Sequence, residues 1–246
     1  MAPAGIGDRV EGFHAVAAAV EAGRVRRLTF EAKRLRHDDY AALAAAAASA
    51  GAEVRHVADV REEAVSDAPQ GVLADCVPIP TVDVDEAAVL ADPAAVLVLD
   101  HLQDPRNLGA IARSAHAAGV PVIVVPERRA APLGATAFKA AAGALEHVAV
   151  CPVGSVADAI ERLRRRGLWA VGLDGGAEAS LLGHHLLSEP VAIAVGAEGA
   201  GLGRLVAERC DALVRIPMAG PMESLNASVA ASLAVFELAR VRGWIV

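Results

Sequence analysis

Three polar groupings in the sequence combine residue types that can do chemistry with spacings that can gather them. Glu198 stands among Gly196, Gly199, Gly201 and Gly203 in GAEGAGLG. Glycines let backbone amides approach a ligand closely, and a carboxylate beside such a loop is a candidate functional group, simple exposure being the alternative. Asn107 and Arg113 lie in HLQDPRNLGAIARSAHAAG. They are about 240° apart around a helix, so both reach one substrate only if Asn107 lies in the turn before it. The plain alternative makes Asn107 a cap and Arg113 a solvated cation. Ser224 and Asn226 fall in RIPMAGPMESLNASVAASLAVFELAR, at the expected start of the last helix. Amides and a hydroxyl there can contact a carboxylate or phosphate. Capping alone accounts for Ser224 but does not require Asn226.

The elements that must position these groups follow from hydrophobic periodicity. AVLVLD at 95–100, PVIVVP at 121–126, LWAVGLD at 168–174, VAIAVGA at 191–197 and ALVRIP at 212–217 are continuous apolar runs separated by helical segments. That pattern predicts a parallel sheet covered on both faces. Ligands of such sheets sit beyond the C-terminal strand ends, which places the chemistry in the loops after Asp100, Asp174, Gly196 and Pro217. Asp104 and Pro105 should start the helix that Gly119 ends, with Leu108, Ile111, Ala112 and Ala115 as its buried stripe. Leu225, Val229, Leu233 and Phe236 are expected as the core face of the last helix. Upstream, helices near 12–22 and 38–50 alternate with strands near 25–30 and 53–57, a small α/β unit. CVPIPTVDVDEAAVLADP has the proline and acid punctuation of a connection. The expected division is 1–78, a linker at 79–94, and 95–246.

Apolar residues make up 54% and charged residues 22% of the 246, which excludes a disordered chain. The longest uncharged stretches, about 13 residues, are too short for a spanning helix. The opening MAPAGIGDRVEG has no secretory pattern, and a cytoplasmic location is expected. Cys76, Cys151 and Cys210 are far apart and form no CxxC pair, so neither a disulfide framework nor a metal site is expected. The net charge of −7 argues against a general nucleic-acid coat. Arg24, Arg26, Arg27, Lys33, Arg34 and Arg36, against Glu31 alone, are the local exception, with Arg162, Arg164, Arg165 and Arg166 a second cluster. Each is either a solvated face or a surface that draws an RNA backbone. With Phe13, Phe30 and Tyr40 the candidate aromatics of the first part, recognition by shape and phosphate is expected over base stacking.

Together, NLGAIARSAHAAGV, VGAEGAGLG and IPMAGPMESLNASVA resemble the three ordered motifs of the SpoU/TrmH family of RNA 2′-O-methyltransferases, over about residues 95–246. VEGFHAVAAAV and PQGVLA are similar to segments of the small L30e-like RNA-binding domain of the ribosomal-RNA members. The resemblance implies a SPOUT fold with a C-terminal deep trefoil knot, S-adenosyl-L-methionine as cofactor, and a homodimer. It implies substrate and catalytic roles for Asn107 and Arg113, with Glu198, Ser224 and Asn226 as the other polar groups. Gly196, Ile216 and Leu225 would give the main cofactor contacts, with Leu173, Asp174, Gly175, Ala197, Gly201, Pro217 and Met218 around it. The implied substrate is a 23S rRNA ribose, with transfer RNA the nearest alternative and an antibiotic-resistance enzyme carrying the same motifs. A noncatalytic RNA-binding scaffold and a nicotinamide-binding enzyme are the readings from other classes. Pro69-Gln70-Gly71 stands where ribosomal members often have His-Gln-Gly, and Ala141 and Ala142 stand where they have small hydroxyl residues.

Overall fold

Uninterrupted Val, Ile and Leu make strands that can be buried on both faces. In the computed structural model, which describes residues 5–128, 130–220 and 224–245, β5 (Ala95–Leu99), β6 (Val122–Pro126) and β10 (Val191–Val195) are such strands. Pro221, Met222 and Glu223, in the turn expected before the last helix, lie outside the described residues. β7 (Ala149–Val153), β8 (Trp169–Leu173), β9 (Ala179–Ser180) and β11 (Ala212–Arg215) complete a seven-stranded parallel sheet. Its order is β7-β6-β5-β10-β8-β11-β9. β7 falls outside the expected strands because Pro152 interrupts AVCPV; an edge position, where one side needs no partner, tolerates it. In register, Leu99 lies beside Val195 and Leu173 beside Val214, so the ends of β5, β10, β8 and β11 open on one rim.

Alternation of side chains divides the core between two faces. Leu97, Leu99, Ile123, Ile193 and Val195 pack under α4 (Pro105–Ala117), α5 (Ala135–Ala141) and α8 (Ala227–Val241). Val96, Val98, Val124 and Ala194 face α3 (Val84–Ala87), α6 (Val156–Arg165) and α7 (Arg204–Arg209). In α4 the Asp104 side chain accepts from the Arg106 N–H and Pro105 occupies the first turn, as expected. Leu108, Ile111, Ala112 and Ala115 are buried, Leu108 and Ile111 each contributing about 2 kcal/mol. Gly109 is required by close packing: a Cβ there would lie 2.4 Å from the Ala137 carbonyl oxygen.

The last helix differs from expectation. It begins at Ala227 with Asn226 as its cap, and its buried stripe is Ala231, Ala234, Val235 and Leu238. Val229, Leu233 and Phe236 are 46%, 44% and 41% exposed. Both stripes satisfy helical spacing, and the narrow alanine stripe allows close approach to α4, where Ser114 Oγ and Ser232 Oγ are 2.7 Å apart. The large apolar residues are left facing outward.

The N-terminal part is a four-stranded sheet ordered β1-β4-β2-β3, from β1 (Arg9–Glu11), β2 (Val25–Glu31), β3 (Glu53–Val57) and β4 (Val72–Cys76). α1 (Phe13–Glu21) and α2 (Asp38–Ser49) pack on it over Val16, Leu28, Phe30 and Ala47. This core runs without a break into that under α4 and α5, through Phe138 and Ala141. Between the sheets, the Val82 N–H donates to the Val150 carbonyl, and α3 carries a reciprocal cap between Asp83 and Glu86.

Candidate active site

The loops leaving β8, β10 and β11, with the start of α8, enclose a cleft of about 950 Å3. All ten residues expected to contact a cofactor line it: Leu173, Asp174 and Gly175 after β8, Gly196, Ala197 and Gly201 after β10, Ile216, Pro217 and Met218 after β11, and Leu225 before α8. Gly199, expected as a ligand-loop glycine, lines it as well, and so do Gly176, Val195, Ala200, Val214, Arg215, Ala227 and Ala230, which were not foreseen. Val195 and Arg215 end strands already expected to point there, with Val214 one residue earlier, so the strand-end rule carried their signal. Ala227 and Ala230 needed the true start of α8.

Backbone bonds fold the loop after β10 back on itself. The Ala197 and Gly201 N–H groups each donate to the other's carbonyl, at 3.1 and 2.9 Å. A Cβ on Gly196 would sit 2.0 Å from the Gly201 carbonyl carbon, so only glycine fits this crossing. The far end of the loop is tied down by Asp100, fully buried at the end of β5, whose Oδ2 accepts the Gly203 N–H at 2.7 Å. Its Oδ1 is 2.5 Å from His101 Nδ1. Asp100 was named only as a strand end; a buried carboxylate needs partners, and these are what it found.

At the mouth of the cleft the three polar groupings meet. The Asn107 amide, from the first turn of α4, donates to Glu198 Oε1 at 2.8 Å. The Asn226 amide donates to the same oxygen and lies 3.4 Å from Asn107 Oδ1. Asn226 Oδ1 accepts from the Ser228 N–H at 2.8 Å and hydroxyl at 2.6 Å, so one side chain caps α8 and holds the carboxylate. Ser224 lines the cleft but is exposed and is not the cap, which corrects the expected start of α8. Arg113, two turns along α4 from Asn107, is exposed, is not among the cleft-lining residues, and makes no ion pair among the described residues. Asn107 stands inside the helix, and the structure does not bring Arg113 to it.

Residues 94–236 match the SpoU rRNA Methylase family, more than half of the chain. This chain belongs to that family. Residues 9–82 match the family described as RNA 2′-O ribose methyltransferase substrate binding. The 23S rRNA (guanosine-2′-O-)-methyltransferase RlmB of Photobacterium profundum is 36% identical over 241 residues, 96% of this chain and 98% of its own. The RlmB of Xanthomonas campestris is 48% identical over 61% of this chain and 59% of its own. Two further curated relatives, from Bacillus subtilis and Synechocystis, are matched over only 58% and 63% of their own lengths. Among solved structures, the SpoU methyltransferase AviRb from Streptomyces viridochromogenes in complex with AdoMet superposes with a TM-score of 0.76 at 30% identity, over 95% of this chain and 89% of that one. A crystal structure titled RNA 2′-O ribose methyltransferase gives 0.77 at 27% identity, over 95% and 88%.

In this SpoU-family chain the expected RNA-contacting cations divide. Arg24 is only 8% exposed, bonded to Glu146 and to backbone carbonyls, and is corrected to a structural residue. Arg27 pairs with Glu53 and Asp75, and Lys33 and Arg34 flank the buried Glu31. Arg26 and Arg36 are exposed, and no ion pair to them is found among the described residues. The second cluster is tied to acids throughout: Arg162 and Arg166 to Asp85, Arg164 to Asp211 and Glu161, Arg165 to Glu161. Phe30 is buried; Phe13 and Tyr40, with ring centroids 4.9 Å apart, are half-buried. No helix of the described residues is long and apolar enough to cross a membrane, and no group of three metal-ligating side chains occurs among them.

Proposed function

We propose that this chain transfers a methyl group from S-adenosyl-L-methionine to a ribose 2′-hydroxyl of 23S rRNA. The observation that carries this reading is a carboxylate, Glu198, held by two amides from distant segments at the mouth of a cleft suited to the donor. Leu173, Ile216 and Leu225 offer apolar walls to a nucleoside, loop amides offer donors, and Asp174 and Glu198 suit a cationic ligand. When bound, the donor supplies an electrophilic methyl on a sulfonium.

The residues then have to place the ribose hydroxyl in line and ease the loss of its proton. Asn107 and Asn226 hold Glu198 Oε1, which aims the other carboxylate oxygen at the incoming hydroxyl. Arg113 is permanently protonated and exposed outside the cleft, so its role is to anchor an RNA phosphate and so keep the ribose in line. Residues 1–78 form an L30e-like substrate-binding domain, 79–94 a connecting segment, and 95–246 the catalytic domain, its C-terminal region threaded as a deep trefoil knot. The outward stripe of Val229, Leu233 and Phe236 supports a homodimer, because exposed apolar helix faces seek a partner. The chain acts in the cytoplasm.

The test is transfer of labelled methyl to unmodified 23S and transfer RNA transcripts, with mass mapping of the product. One methylated ribose in 23S rRNA is expected; labelling of transfer RNA alone would move the substrate, and absence of donor binding would overturn the reading. A sedimentation mass of twice 25.1 kDa is expected, and an active monomer would reject the dimer.

A further inference from the structure

Arg24 closes α1 onto β2, and its guanidinium joins three segments. Nε and Nη2 reach the two carboxylate oxygens of Glu146 at 2.6 and 2.5 Å, while Nη1 donates to the carbonyls of Gly7 at 2.6 Å and Val77 at 2.9 Å. The two side chains are 9% and 2% exposed. Glu146 belongs to the large layer, just after α5, so a buried two-pronged pair ties the small sheet to the large one. The guanidinium also lies over the Phe138 ring, 5.6 Å from its centroid. The same ring fills the space beside Gly7, where a Cβ would come within 2.3 Å.

Such a pair tolerates little sliding. Its geometry is fixed by the fork, and displacing either partner leaves a charge buried without its counterpart. The two layers meet again at the loop before β4. Asp67 stands 3.8 Å from Arg106, the residue before Asn107, and the Lys139 ammonium donates to the Ala68 carbonyl. Gln70 and Gly71 continue from there to Arg34, whose side chain packs on Gly71. A short run of contacts therefore leads within one chain from the residues beside Asn107 and Gly109 to the cations of the small sheet.

We propose that Arg24 and Glu146 are positioning residues that determine specificity, holding the small sheet over its own catalytic layer so that one ribose, at a set span from the RNA element it grips, reaches Asn107 and Glu198. This inference rests on the methyltransferase reading above. Neither residue touches substrate; both act through the pose of the domain.

The experiment compares the wild-type full-length chain with Glu146→Gln and with Gly7→Ala, which drives a methyl into the edge of the Phe138 ring and serves if the first variant fails to fold. For a folded 23S rRNA fragment, KM is expected to rise about tenfold, with kcat falling less than about threefold. Donor affinity should stay unchanged, and mass mapping should show methyl groups on neighbouring riboses. Small-angle scattering should show a larger radius of gyration. Variants that keep the scattering envelope, KM and single methylated ribose of the wild type overturn the proposal. A wild type that binds donor but labels no RNA overturns the functional reading instead, and the scattering comparison still decides whether the pair sets the pose.

Discussion

The cleft mouth and the back of α6 are both built from charged and amide side chains, and they treat them in opposite ways. At the mouth, Asn107 and Asn226 converge on one oxygen of Glu198, leaving the other without a partner among the described residues. Along α6, Arg162 and Arg166 join Asp85 of α3, Arg164 reaches Asp211 ahead of β11, and Arg165 pairs with Glu161 within the helix. A chain of net charge −7 has acids enough to occupy most of its arginines. The difference teaches that a cation counts toward RNA binding only when no internal carboxylate claims it, which leaves Arg26, Arg36 and Arg113, together with Arg128 and Arg215, exposed and without an ion pair among the described residues.

Arg113 gives the largest test of that contrast. Arg113→Ala and Arg113→Lys should each lower turnover by about 10²-fold, through a misplaced ribose, while donor affinity, read by calorimetry, is unchanged. A fully active lysine variant would show that fork geometry is unimportant. Next comes Asn226, whose two ends serve different purposes. Asn226→Ala should lose about 1 kcal/mol of stability and most methyl transfer. Asn226→Asp can still cap α8 but cannot donate to Glu198, so it should melt near the wild type and remain inactive. Equal stability loss in both variants would break the division of labour.

A smaller effect separates the two kinds of arginine. Arg26→Ala and Arg36→Ala should each reduce the salt dependence of RNA binding by about one unit of slope. Arg162→Ala should leave the slope as it is, because that side chain already answers Asp85. A lowered slope for Arg162→Ala would place α6 on the RNA after all. The smallest effect concerns the thiols. Burial pushes Cys76 and Cys151 up to about 11 and Cys210 up to about 12, which keeps them protonated near neutral pH. Maleimide at about pH 8 should label them only after denaturation, thiolate being the reactive form. Rapid labelling of the native chain would show a thiol far more open than the fold places it.

Much of the large sheet could be read directly because uninterrupted Val, Ile and Leu leave few alternatives to a buried parallel strand. The cleft was equally legible: glycine-rich turns after such strands restrict where a ligand can sit, and Gly196 admits no side chain. Periodicity failed on α8, where two stripes share one spacing and only the packing distance to α4 selects the alanines. Charge failed for Arg24, since a basic run says nothing about which carboxylate the fold will bring from 122 positions away. Asn226 was singled out without its cap, because the helix start was set at Ser224.

Asn226 also ties two events to one switch. Because its oxygen closes the first turn of α8 and its nitrogen holds Glu198, fraying of that helix end and loss of the oriented carboxylate become the same motion. The Ser228 amide should therefore exchange its hydrogen at the rate at which the reactive centre comes apart, making one backbone proton a clock for how long the enzyme stays ready between substrates.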